Sequence, residues 1–132
     1  MSKEKYICVD FDGTIVDHAF PEIGEPAPGS IHWLRRFSEL GAKIILFTMR
    51  SDGQQSGDVL NAAVVFLQNN GVSLFGINRN PTQDEWTTSP KAYGHIYIDD
   101  AAFGCPLIRP QGFARPCVDW SKVGPAIEKI LI

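Results

Sequence analysis

Asp10 and Asp12 stand two residues apart, directly after the apolar run Tyr6 to Val9. Residues two apart on an extended chain point the same way, so both carboxylates share a face as the run opens into a loop. Paired carboxylates of this kind can move protons or offer oxygen ligands to a hard cation. Gly13 follows and permits an unusual backbone angle or close approach by another group. The plain alternative is a solvated Asp-Gly turn. An EF-hand calcium loop starting at Asp10 is excluded, because its required Gly and Glu positions hold Ile15 and Pro21.

Two more short apolar runs end in polar residues. Lys43 to Phe47 ends at Thr48, and His95 to Ile98 ends at Asp99 and Asp100. Short runs rich in β-branched and aromatic residues read as buried strands. Helical spacing lies between them: Ile31, Trp33, Leu34, Phe37 and Leu40 after Ser30, a plausible N-cap, with Gly41 as the stop. Val59, Leu60, Ala63, Val64, Phe66 and Leu67 repeat the pattern before Gly71. A last helix is expected from about Asp119 or Ser121 to Ile130, with Pro125 awkward unless it falls in the first turn. Strands alternating with helices predict a mainly parallel sheet with helices on both faces. Ligands of such sheets bind outside the carboxyl ends of the strands. Asp10, Thr48, Asp99 and Asp100 should therefore meet at one edge. The stretches Asp17 to Gly29 and Gly71 to Lys91 read as irregular, with one possible short strand at Val72 to Phe75.

The 132 residues suit one domain, 1–132, with enough core to fold without staples. A net charge of −3 disfavours nucleic acid and acidic membrane surfaces as partners, without excluding a local basic patch. The cysteines Cys8, Cys105 and Cys117 are odd in number and scattered, unlike a disulfide framework or a zinc site. No stretch looks like a signal peptide or a membrane span. A cytoplasmic location is the expectation.

Asp10-Phe11-Asp12-Gly13-Thr14 after an apolar strand resembles the first motif of the haloacid dehalogenase (HAD) superfamily. Thr48 resembles its second motif, Lys91 its third, and Ile98-Asp99-Asp100 its fourth. The order agrees, and the resemblance runs from about Tyr6 to Asp100. It implies a three-layer Rossmann-like core, here without a separate cap domain, and in most members phosphatase chemistry with Mg²⁺. Asp10 would attack phosphorus and form an aspartyl-phosphate. Asp12 would protonate the leaving oxygen and then deprotonate water. Asp10 and Asp99 would hold Mg²⁺, with the main-chain carbonyl of Asp12 and support from Asp100. Lys91 would place a positive charge beside the nucleophile, as a catalytic residue. Thr48 and the backbone N–H groups of Phe11, Asp12 and Met49 would bind phosphate oxygens, with Arg50 at the pocket rim.

Outside those motifs, His18 could touch the substrate, and Asn78, Arg79, Asn80 and Trp86 could form a binding wall. The segment from Ala101 to Leu107 carries no assignable chemistry. A small phosphorylated substrate is the expected partner, a homo-oligomer is open, and no membrane is expected. The alternatives are a nucleotide or polynucleotide-end phosphatase, or a catalytically silent phosphate-binding or interaction module.

Overall fold

The computed structural model describes residues 4–53 and 57–132. Four strands form one parallel sheet: β1 (Tyr6–Val9), β2 (Lys43–Leu46), β3 (Gly76–Ile77) and β4 (Ile96–Ile98), in the spatial order β3-β2-β1-β4. Helices α1 (Ser30–Glu39), α2 (Val59–Asn69) and α3 (Trp120–Leu131) complete a Rossmann-like α/β arrangement, with a small antiparallel hairpin of β5 (Leu107–Ile108) and β6 (Cys117–Val118). No helix among the described residues is long and apolar enough to cross a membrane.

Side-chain alternation splits the sheet into two faces. Ile7, Val9, Ile44 and Leu46 join one core with Leu34 and Phe37 of α1, Ala63 and Leu67 of α2, and Trp120 and Ile127 of α3. Cys8 and Ile45 point the other way, against Ala92, Tyr6, Phe47 and Phe75. Crossover handedness explains this. The connections β1-α1-β2 and β2-α2-β3 step in one direction across the sheet, and right-handed crossovers keep both helices on one face. The return from β3 past β1 to β4 steps the other way and must cross the opposite face. That crossover, residues 78–95, contains a single 3₁₀ turn (Pro81–Glu85). The expected helices on both faces are thus realised on one face, and the other is covered by this turn and its flanking chain.

Sequence signals placed most elements within a residue or two. Gly29, at φ 83°, precedes α1 as its cap, and Ser30 is instead the first helical residue, its buried hydroxyl donating to the Ile15 carbonyl at 2.8 Å. The strand expected at Val72 to Phe75 forms later, at Gly76–Ile77. In α3, Asp119 caps the helix by accepting from the Ser121 N–H, and Pro125 lies beyond the first turn. Packing outweighs the lost hydrogen bond there: Trp120, Gly124 and Ile127 form the buried stripe. A Cβ on Gly124 would collide with the Trp33 ring, so glycine lets α1 and α3 approach closely. Arg36 and Glu128 tie the same two helices at 2.6 Å.

Candidate active site

A cleft of about 520 Å³ opens at the carboxyl edge of the sheet, lined by Asp10, Asp12, His18, Thr48, Met49, Asp99, Asp100, Ala101, Leu107, Arg115 and Pro116. The sequence expectation that β1, β2 and β4 deliver their terminal residues to one place is met. Asp10 extends the β1–β4 pairing, its N–H donating to the Ile98 carbonyl at 2.9 Å. Carboxylate oxygens of Asp10, Asp99 and Asp100 lie within 4.8 Å of one another.

Thr14 sets the spacing of this cluster. Its hydroxyl lies 3.1 Å from Asp10 Oδ2 and 3.4 Å from Asp100 Oδ1, and accepts from the Asp100 N–H at 3.1 Å. Burial first, then the neighbouring charges of Asp99 and Asp100, pushes the Asp10 carboxyl up to about 8, while the Phe11 N–H pulls the other way. Like charges held this close repel, and a cation among them would relieve the repulsion. An all-oxygen donor set of carboxylates fits a hard divalent ion such as Mg²⁺.

Asp12 shares the cleft but has a different partner. Both its oxygens accept from Arg50, Nε at 2.8 Å and Nη2 at 2.8 Å. Arg50 is 2% exposed. Its remaining N–H groups reach the carbonyls of Pro21, Glu22 and Val59, and its guanidinium lies over the Phe11 and Phe20 rings. Arg50 was expected at the pocket rim; the structure buries it beneath Asp12, with its planar donors committed. Five donors in a fixed fork suit that internal role. Phe11 itself is buried core.

Thr48 sits at the end of β2 as expected. Asn78 accepts from its N–H at 2.7 Å, and its hydroxyl oxygen accepts from the Arg50 N–H at 3.1 Å, leaving the hydroxyl proton for the cleft. Met49 is 96% exposed on the rim.

Lys91 does not line this cleft. It is exposed on the opposite face of the sheet, its ammonium 5.2 Å from the centre of the Tyr97 ring. The cause is Gln83. Buried in the 3₁₀ turn, its amide donates to the carbonyls of Ser89 and Lys91 and accepts from the Tyr93 N–H, fixing residues 89–93 where the crossover runs. The binding wall expected from residues 78–86 is likewise elsewhere. Asn78 holds Thr48, Arg79 pairs with Asp84, buried Asn80 caps the 3₁₀ turn, and Trp86 packs edge-on against Tyr93.

Sequence reasoning missed the far wall. The hairpin of β5 and β6 folds back on the loop after Asp12: the Val118 N–H donates to the Gly13 carbonyl at 3.1 Å, and the Ala114 N–H to Asp17 at 2.9 Å. Arg115 Nη2 donates to His18 Nδ1 at 2.6 Å. An arginine can only donate, so Nδ1 accepts and the ring proton sits on Nε2, which faces Asp100 Oδ2 at 3.1 Å. Gly13, at φ 82°, makes room: a Cβ there would collide with both His18 and Asp100. Arg115 is separated from His18 by 97 residues and sits in an aperiodic stretch. The glycine after Asp12 was the one local sign that something approaches.

The chain is similar to a conserved protein of Bacteroides thetaiotaomicron whose structure has been solved, at 26% identity and a TM-score of 0.73, over 97% of this chain and 93% of that one. No protein-family model matches the chain, and no curated protein matches it. The likeness extends the α/β fold over nearly the full length of both chains.

Proposed function

We propose that this protein is a Mg²⁺-dependent phosphoryl-transfer enzyme that hydrolyses a phosphomonoester through an aspartyl-phosphate on Asp10. The observation that carries the reading is the cluster of Asp10, Asp99 and Asp100 beside Thr48 at the carboxyl edge of the sheet. On this reading the core is an HAD-type fold in reduced form, with a 3₁₀ turn where the three-layer version carries helices.

Asp10, Asp99 and Asp100 would hold the ion, with the Asp12 main-chain carbonyl as a further oxygen ligand. When bound, Mg²⁺ supplies positive charge that keeps Asp10 ionised and draws the phosphate's negative charge. The chain's own residues do the rest. Thr14 orients the Asp10 carboxylate for attack on phosphorus, and the Thr48 hydroxyl donates to a phosphate oxygen. Asp12 would keep one oxygen on Arg50 and take a proton from solvent on the other, passing it to the leaving-group oxygen as the bond to phosphorus breaks and regaining one from the attacking water. Splitting the hydrolysis at a covalent intermediate divides one high barrier into two lower ones.

A second reading, a catalytically silent phosphate-binding module, has one observation in its favour: Asp12 is paired to Arg50 through both oxygens. Hydrolysis of p-nitrophenyl phosphate and a panel of phosphomonoesters, with Mg²⁺ and with EDTA, separates the two. The enzyme reading expects metal-dependent turnover. A folded protein that binds Mg²⁺ and phosphate but turns over none of the panel would leave the silent module.

A further inference from the structure

The charges around the cleft are unevenly matched. Arg50 answers Asp12. Among the described residues, Asp10 and Asp99 pair with no basic side chain and Asp100 meets only the His18 imidazole, so a divalent cation among the three carboxylates still leaves one negative charge over before an anionic substrate enters. Some further cation must face the substrate, because an anion brought against an uncompensated carboxylate cluster in a partly buried site is repelled. Lys91, the residue the motif order nominates, lies on the opposite face of the sheet.

Among the described residues lining the cleft, Arg115 is the one permanently charged cation. It is exposed, one imidazole ring away from Asp100, and among the described residues only its Nη2 is engaged, on His18. It forms no ion pair with any of the cleft's carboxylates. Its backbone is held from both sides, by Ala114 on Asp17 and by Val118 on Gly13. The β5–β6 register, Leu107 opposite Val118, closes the arm at its base.

We propose that Arg115 is the anion-binding residue of this cleft, presenting its free guanidinium donors to the phosphate group of the substrate in place of Lys91. The inference rests on the phosphoryl-transfer reading and adds a residue to it that the motif pattern does not contain. A guanidinium fork matches phosphate oxygens two at a time, which a lysine at the same place could not do. The hairpin from residue 107 to 118 thereby becomes the substrate-binding arm of the site.

Calorimetric titration of inorganic phosphate into the Mg²⁺-saturated full-length protein tests this. Arg115→Gln keeps much of the stem and removes the charge. It is expected to weaken phosphate binding at least about tenfold, the loss typical of a charge-assisted hydrogen bond. Arg115→Lys should fall between that variant and the wild type. Mg²⁺ affinity, titrated separately without phosphate, should not fall in either variant. Phosphate binding by Arg115→Gln within about twofold of wild type would overturn the inference and leave the phosphoryl-transfer reading standing. A parallel loss of Mg²⁺ affinity would also overturn it, by showing that Arg115 shapes the carboxylate cluster instead. A wild type that binds Mg²⁺ but no phosphate would remove the phosphoryl-transfer reading, and this inference with it.

Discussion

Asp10 and Asp12 are the same residue type, two positions apart, at the edge of one cleft, and they live in opposite electrostatic conditions. Asp12 faces a buried arginine that takes both its oxygens. Asp10 faces two further carboxylates, and burial first, then their charges, drive its pKa up to about 8. The first is compensated inside the protein, and the second is left for something outside it. Buried charges in folded proteins are normally paired, so three carboxylates met only by the His18 imidazole point to a ligand, whereas the Asp12–Arg50 pair is held in place before any ligand arrives. Sequence spacing treats the two aspartates alike; their partners tell them apart.

The sharpest way to break this contrast is Asp10→Asn. On the proposed mechanism turnover falls by at least about 10⁴-fold, the scale of losing a covalent nucleophile. The same variant should change stability in a particular direction. A carboxyl whose pKa is higher folded than unfolded holds its proton more tightly when folded. Its contribution is present below the unfolded value of 3.8 and is lost as pH rises through about 8. Metal-free wild type should therefore lose melting temperature between pH 5 and pH 8, and Asp10→Asn should lose less over that window. Mg²⁺ should raise the wild-type Tm more at pH 8 than at pH 5. Equal pH dependence in the two proteins would contradict the strain assigned to Asp10.

Arg50→Met probes the other half of the comparison. Removing one partner of a buried ion pair costs about 3–5 kcal/mol, and urea unfolding would measure it. A loss under about 1 kcal/mol would mean that Asp12 is not held by this pair, and would weaken the distinction drawn above. The smallest effect is expected of Lys91→Met. Its kcat/KM should change less than about twofold and its stability by less than about 0.5 kcal/mol, as for a surface substitution away from the site. A tenfold fall in kcat/KM would return Lys91 to the cleft.

What could be read without coordinates was whatever local pattern controls. Tyr6–Val9 and the residues ending β2 and β4 were legible because apolar runs bounded by polar residues are strands for local reasons, and parallel topology then brings Asp10, Thr48 and Asp99 together. Arg50 and Lys91 were misplaced because a cation four residues past a strand, or a few before one, has no periodicity to say which face it joins. Arg50 goes under the loop because its fork finds a carboxylate and three carbonyls there. Lys91 goes to the far face because buried Gln83 anchors the chain around it. Arg115 could not have been found by spacing, since its partner lies near the other end of the sequence. The helix layer expected on the second face fails for a related reason: handedness fixes which face a crossover takes, but not whether the residues crossing it are helical.

Trp120 opens α3 with its indole N–H on the Thr14 carbonyl at 2.8 Å, across 106 residues. Thr14 in turn spaces Asp10 from Asp100. The loop after Asp10 is made about a hundred residues before the group that steadies it. During synthesis the carboxylates of β1 and β4 would exist for a time without the strut that fixes their separation. The carboxylates thus gain their fixed spacing only once residue 120 has been made, and a chain stalled before it would carry the acids without that geometry.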